Sequence, residues 1–586
     1  MSPNSNSKFS FMKNMFNGRI PHGHLYQFPF FTSNRESDFK LMHDSISDWM
    51  KQNVDSLKFD QEKKLPPEII QSLREMGLFG LIIPEAFGGS EFTQTFYTRT
   101  LELLNQGDTS VTLTVGAHTS IGLKGLYLYG NEQQKAKYMP KLATGEMIAS
   151  FALTEPGAGS DAAGIKTRIV RQGDKYILNG SKLWITNGGF ASFFTVFAKE
   201  EIDGEDKVTA IIVTRDMGGV TNGPEEHKLG IKASSTVEVF FKDVPVPVEN
   251  VLGKPGDGFK IAMGILNQGR LGLAGGAIGS MKSVFDESVV YTKNRKAFGH
   301  SVSDFLLIQN LICEMAMDIY TTEAITYFTT NLVDAGDVDY SIEAAICKVA
   351  ASEAAWRCLN TSMQIHGGNG YMVEYGIERK LRDGRISLIF EGTNEILRLF
   401  IAMTGIKEIA SEYKKVGKEL QSIKSLDFLT NAIGKIGFLS EFALKEVKKT
   451  VYPETLEGFH SALGKECARL SAATQILSVS ASKLIRNYGQ KLVDEQLQMM
   501  RLADISIDTF IIAAVLSRIH SVLDKSGGVE ANKEEYDMAC LIIRNAKLRI
   551  NQNEYDINKN HDETIKKIAK KIIDSDKYPY HIDKYK

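Results

Sequence analysis

The feature that most constrains this chain is a double change in the spacing of its apolar residues. From residue 37 to about 147 they recur at helical spacing, with Phe39, Leu41, Met42, Ile46 and Met50 setting the pattern. From about 148 to 254 the period falls to two. From about 255 it returns to helical and stays so to residue 586. A strand block of about 100 residues between two helical blocks is unusual and implies an α+β multi-domain chain.

Local signals refine the blocks. Pro66-Pro67 opens a helix that runs to Met76, and Gly77 stops it. The apolar run Leu78 to Ile83 leads into the turn-rich Pro84 to Gly89. In the strand block, Asn179-Gly180 sits between Lys175–Leu178 and Lys182–Ile185 and predicts a tight β-hairpin. Further strands are expected at Phe193 to Ala198, Val208 to Val213 and Thr236 to Phe241, with Pro245 and Pro247 ending the sheet. The next helical block reaches Met403, and Gly405 is the expected helix stop. Beyond it the helical pattern carries more Lys and Glu, and no repeat of fixed period occurs.

Bulk properties remove several function classes. A chain of 586 residues needs more than one core. With 43% hydrophobic and 24% charged residues it has a globular balance, and a net charge of −2 gives no field that gathers nucleic acid. Its five cysteines form no CxxC pair, which argues against a disulfide framework or a metal site. No apolar stretch reaches the length of a membrane span. Residues 1–35 contain Lys8, Lys13, Arg19 and Arg35 but no acid, which suits a transit peptide or an arm, ordered or frayed, on the mature protein.

Four segments have the composition of chemical sites. Phe151 to Asp161 (FALTEPGAGSD) runs from strand-like residues into a loop of small residues. Its backbone N–H groups can approach a planar or anionic ligand, although an ordinary turn has the same make-up. In Trp184-Ile185-Thr186-Asn187-Gly188-Gly189, alternation puts Trp184 and Thr186 on one face. That face suits a flavin ring, or simply a tryptophan in a core. Gln364 to Tyr371 (QIHGGNGY) breaks a helix with three glycines and reads as a loop, with His366 structural. In Ile389 to Arg398 (IFEGTNEILR), an apolar run delivers Glu391 to a glycine hinge, and Thr393 or Asn394 can cap the following helix. Glu395 suits the first helical turn. Glu391 has no such structural reason, and desolvation at an apolar mouth would make it a stronger base. Composition alone equally allows a surface glutamate.

Taken together, TEPGAGSD (154–161), LNGSKLWITNGG (178–189), NRKAFG (294–299), QIHGGNGY (364–371) and IFEGTNEILR (389–398) resemble the acyl-CoA dehydrogenase family, in the family's order and spacing. The nearest resemblance is to the very-long-chain type and its bacterial relatives. It begins at FMKNMFNG (11–18) and continues into RLAD (501–504) and VLSR (515–518). The resemblance implies an N-terminal arm (1–36), an N-terminal helical domain (37–147), a middle antiparallel β-barrel-like domain (148–254), a C-terminal four-helix bundle (255–408) and a helical extension domain (409–586).

The same resemblance implies bound FAD and no metal. Phe151, Leu153, Thr154, Gly159, Ser160, Trp184, Ile185, Thr186, Thr393 and Glu395 would hold the cofactor. Arg295, Phe298, Gln364 and Gly368 would reach it from the partner subunit of a homodimer. Ser160, Asn267, Gln268, Gly269, Arg270 and Gly392 would line the acyl-CoA site. Glu391 would take the α-proton, while its own backbone N–H and a ribityl hydroxyl of FAD hold the thioester carbonyl. Some relatives carry the base at the position of Gly269, which has no side chain to serve. The expected reaction is dehydrogenation of long-chain acyl-CoA to trans-2-enoyl-CoA, the first step of β-oxidation, with electrons passing to an electron-transfer flavoprotein. An acyl-CoA oxidase or a non-catalytic assembly protein of the same fold are the alternatives. The early start of the match points to a bacterial cytoplasmic enzyme, peripheral to the inner membrane at most, or to the mitochondrial matrix in a eukaryote. Gly116 and Ala117 read as a deep acyl pocket or as helix packing. Leu426 to Phe442, with Lys424, Lys435 and Lys445 around it, reads as a membrane-facing surface or as a helix on the protein's own body.

Overall fold

The computed structural model of the protein describes residues 8–30, 36–422, 440, 442–444, 446, 447, 451 and 453–585. The chain forms two compact units, one of Met1–Ser10 with Phe28–Leu397 and one of Phe11–Gln27 with Arg398–Lys586.

The first unit starts with helices. Glu36–Asn53 buries Phe39, Ile46 and Met50, while Leu41 of the same pattern stays exposed. Pro67–Glu75 follows, and Gly77 ends it in the left-handed region at φ +70°. Strands β1 (Ala149–Ala152), β2 (Arg168–Gln172), β3 (Lys175–Thr186), β4 (Phe193–Ile202), β5 (Glu205–Thr214), β6 (Val220–Glu225), β7 (Thr236–Pro247) and β8 (Val251–Leu252) form one sheet. Its order is β6-β7-β3-β2-β4-β5-β8, with β1 beside β4. The sheet is mixed rather than wholly antiparallel, because β1 and β2 both meet β4 in parallel.

Period two explains how this sheet sits under the helices. On β4, Phe193 and Phe197 enter the helical core, whereas Phe194, Val196 and Ala198 enter a second core that the sheet curls around. On β5, Val208, Ala210 and Ile212 take the first side, and Ile211 and Val213 the second. The central strands are therefore apolar on both faces.

Three local expectations need correction. Asn179-Gly180 is not a hairpin turn but lies inside the unbroken strand β3, where the pairing with β7 shifts register between Leu178 and Gly180. Gly180 has φ +149°, and a Cβ there would strike Thr167. Asn179 bonds Asp243 on β7 through both amide atoms, so the pair builds a β-bulge. The true tight turns are at Gly173-Asp174 and at Asp203-Gly204, where both residues of the latter are left-handed. Second, Pro245 and Pro247 do not end the sheet. They pair with Ile177 and Lys175, and β6 accompanies β7 only as far as Phe241, so the prolines occupy a stretch with one open edge.

Third, Gly405 does not stop a helix. Asn394–Ser422 runs through it, and a Cβ at 405 would collide with the Phe16 ring. The bundle helices Gly258–Asn294, Leu306–Asp334 and Ser341–His366 pack on one another in the first unit. Gly272, Gly275 and Gly279 let helix Gln94–Gly107 lie close along the first of them. The fourth long helix of the block, Asn394–Ser422, begins in this unit and continues into the second.

The second unit centres on helix Gln496–Lys525, which is buried on nearly every side among Gly464–Tyr488 and Lys533–Asn558. Part of the N-terminal arm, Phe11–Phe16, forms a helix here. Phe11, Met12, Met15 and Phe16 are buried, with Phe11 edge-on to Phe510 at 5.9 Å. Residues 423–439, 441 and 445, which hold most of the expected membrane-facing stretch, lie outside the described residues.

Candidate active site

Glu391 stands between a short 3-10 turn, Arg385–Leu388, and helix Asn394–Ser422. The helix start is fixed by Thr393, whose hydroxyl accepts the Ile396 N–H at 3.4 Å. Glu391 itself is left-handed at φ +57°, a conformation that an L-residue holds only when its surroundings impose it. Gly392 follows at φ +95°.

This backbone points the carboxylate at helix Gly258–Asn294. A Cβ on Gly269 would lie 2.8 and 2.9 Å from the two Glu391 carboxylate oxygens and 2.8 Å from Ile121. The glycine therefore leaves the space that Glu391 fills. Its Oε2 is buried with no hydrogen-bond partner. Burial pushes the carboxyl up to about 7, against the pull of Arg270 and Lys348. Among the described residues the Glu391 backbone N–H also has no acceptor.

The neighbours of Glu391 are charged and buried. Arg270 donates from Nε to the Glu391 carbonyl at 3.4 Å and from Nη1 to Asn267 at 2.7 Å. Burial lowers the Arg270 guanidinium to about 10. Gln268 donates to the Tyr340 hydroxyl, and its Oε1 has no partner. Lys348 donates to the Gly392 carbonyl and to Asn394 Oδ1, both at 2.8 Å. The structure thus brings Glu391, Gly392, Gly269, Arg270 and Asn267 together.

A second constellation lies on the sheet. Trp184 is left-handed at φ +58°, where β3 again shifts register against β7, and it is 59% exposed. Ile185 points into the sheet core, so only its backbone remains available. Thr154 and Thr186 are half-buried, and neither hydroxyl has a partner among the described residues. The loop before them is pinned from beneath. Buried Lys182 donates to the Leu153 carbonyl at 3.0 Å and to Glu155 at 2.7 Å, and Leu183 donates to the Thr154 carbonyl. Phe151 packs on Phe197 at 5.0 Å, Gly159 has open space beside it, and Ser160 is exposed.

Arg295, Phe298, Gln364 and Gly368 are all exposed, Phe298 to 92%. Among the described residues no hydrogen bond joins them to the Thr154–Trp184 group. Glu395 is exposed in the first helical turn. His366 has structural contacts, its Nδ1 donating to the Ser362 carbonyl at 2.8 Å and its ring tilted 32° against Tyr291 at 4.2 Å. The sequence reading missed Lys348, Asn394, Lys182 and Glu155. A lone lysine in the apolar run of Ser341–His366 was the available signal for the first.

Four domain models match the chain. They are the acyl-CoA dehydrogenase N-terminal domain over 36–146, its middle domain over 150–244, its C-terminal domain over 256–406, and the ACAD9/ACADV C-terminal domain over 461–578. The human mitochondrial very long-chain specific acyl-CoA dehydrogenase is 42% identical over 523 residues, 87% of this chain and 78% of its own. The chain belongs to the acyl-CoA dehydrogenase family. A probable acyl-CoA dehydrogenase of Bacillus subtilis is 34% identical over 87% of this chain and 85% of its own. Among solved structures, an acyl-CoA dehydrogenase complexed with FAD from Bacillus anthracis superposes with a TM-score of 0.80 at 32% identity, covering 95% of this chain and 94% of that one. A chain from the electron transferring flavoprotein structure of Acidaminococcus fermentans gives 0.61 at 35%, covering 64% of this chain and 99% of its own. Enzymes of the family are oxidoreductases, and the helical, β and helical domain order expected from the sequence is the observed one.

Proposed function

We propose that this dehydrogenase removes two hydrogens from the α and β carbons of a long-chain acyl-CoA, with Glu391 as the base. One observation carries the reading: a buried carboxylate with an unpartnered oxygen, raised to about 7, held over a glycine by a left-handed backbone. Such a group is desolvated enough to be basic and is about half ionised at neutral pH. Its free N–H is placed to hold the thioester carbonyl as negative charge develops there. Glu391 takes the α-proton, and the product is a trans-2-enoyl-CoA.

FAD, the family's cofactor, supplies the acceptor for the β-hydride when bound. The residues present fit it. Trp184 offers an exposed aromatic face, Thr154 and Thr186 offer unpaired hydroxyls, and the loop at Gly159 is open to close approach. Phe151, Leu153, Ser160 and the Ile185 backbone complete that side, with Thr393 and Glu395 beyond the base. Ser160, Asn267, Gln268, Gly269, Arg270 and Gly392 line the acyl-CoA side. Arg295, Phe298, Gln364 and Gly368 complete the cofactor site of a second copy in a homodimer, which accounts for a phenylalanine that stays exposed although its ring edge meets Phe305. Electrons leave to an electron-transfer flavoprotein. The enzyme works in the bacterial cytoplasm or its mitochondrial counterpart. Among the described residues no helix is long and apolar enough to cross a membrane.

The test is anaerobic flavin bleaching by hexadecanoyl-CoA. Glu391→Gln retains FAD and loses bleaching rate by about 10²–10⁴-fold. Full-rate bleaching by that variant would overturn the assignment, and rapid oxygen consumption without an added acceptor would favour an oxidase.

A further inference from the structure

Lys348 is fully buried in helix Ser341–His366. A buried ammonium is unfavourable unless bonded, and this one donates to the Gly392 carbonyl and to Asn394 Oδ1, both at 2.8 Å. Asn394 is held in turn by Ser352 at 3.0 Å and Glu353 at 3.1 Å. The helix start does not need this lysine, because Thr393 caps it. What the lysine grips is the carbonyl directly after Glu391, at the left-handed pair that aims the carboxylate over Gly269.

We propose that Lys348 is a positioning residue for the reaction, fixing the Glu391-Gly392 turn through the Gly392 carbonyl and supplying, beside Arg270, a second positive charge to the base. The inference rests on Glu391 being that base. The charged and titratable groups facing Glu391 are Arg270, Lys348 and Tyr97. Those facing Lys348 are Glu391, Arg270, Glu353 and Glu395. Burial holds the Lys348 ammonium down to about 8 and raises the Glu391 carboxyl to about 7. The productive pair, an ionised carboxylate beside a charged lysine, is therefore most populated near neutrality. The sign follows directly: the rate rises as Glu391 loses its proton and falls as Lys348 loses its own.

The test is the pH profile of anaerobic flavin reduction by hexadecanoyl-CoA in FAD-loaded protein. Wild type gives a bell. Lys348→Met slows the reaction at least about tenfold, shifts the acid limb to higher pH and removes the alkaline limb. Lys348→Arg, which keeps the charge, restores the acid limb toward wild type. Asn394→Ala removes one acceptor of the ammonium, so it lowers the rate and moves the alkaline limb to lower pH, and it is read whether or not Lys348→Met folds. An alkaline limb that persists in Lys348→Met, or an unchanged rate in Asn394→Ala, overturns the proposal. Glu391→Gln run alongside separates the two readings. If it is inactive while Lys348→Met behaves as wild type, only the lysine's role fails. If it is active, the base assignment fails.

Discussion

A left-handed glutamate with a desolvated carboxylate is a local expense of about 1–3 kcal/mol in backbone strain alone. At Glu391 the surroundings hold that state from three sides. Gly269 provides room, Arg270 and Lys348 provide charge, and the Gly392 carbonyl is tied down. Gly269→Ala tests the first of these. The added methyl meets both carboxylate oxygens and Ile121, so the side chain must move off its aim. We expect FAD to stay bound and the rate of flavin reduction to fall by about 10²-fold, since misplacement of about 1 Å costs that much. The local pattern around Glu391 also suited a surface glutamate, and only the five motifs taken together singled the residue out. Lys348 was not legible. A lysine inside an apolar helix becomes informative only once the fold shows it buried and facing the turn after the base.

Elements were read well wherever period alone decided them and poorly wherever one residue was asked to decide. The helical blocks, the strand block and the strands Phe193 to Ala198, Val208 to Val213 and Thr236 to Phe241 all appear, the strands in longer form. Asn-Gly, however, is compatible with a turn or a bulge, and only the cross-strand partner Asp243 chooses between them. Gly405 shows the same ambiguity, since a glycine can end a helix or admit a neighbour. The two readings give opposite predictions for Gly405→Ala. Helix propensity alone would stabilise the protein by about 1 kcal/mol. Overpacking against Phe16 costs about 1–3 kcal/mol and should win. A lower thermal midpoint in circular dichroism is expected, and a raised one would mean that the ring moves aside freely.

The whole molecule is two compact units whose stabilities can be probed separately. All three tryptophans, Trp49, Trp184 and Trp356, belong to the first unit. In the second, Arg501 and Asp562 form a buried bidentate pair at 2.6 and 2.7 Å. Arg501→Ala leaves Asp562 buried and unpaired, at a cost of about 3 kcal/mol. The helical circular-dichroism transition of the second unit should move to lower temperature while tryptophan fluorescence keeps its midpoint. Equal movement of both signals would mean that the units unfold as one. This division into units was the least legible feature of the fold, because no local pattern assigns residues 11–27 to a partner that begins at 398.

That assignment sets an order on the chain's assembly at the ribosome. Phe11, Met12, Met15 and Phe16 leave the ribosome before the first unit, yet helices Gly464–Tyr488 and Gln496–Lys525, which pack on their helix, leave after it. At roughly 5–20 residues per second, the roughly 450 residues between Phe16 and Gly464 take roughly 20–90 s to synthesise. For that interval four apolar side chains wait without their seat while the first unit is completed. A bulky insertion just before Phe11 would therefore disturb a unit whose other part is made only after the first unit.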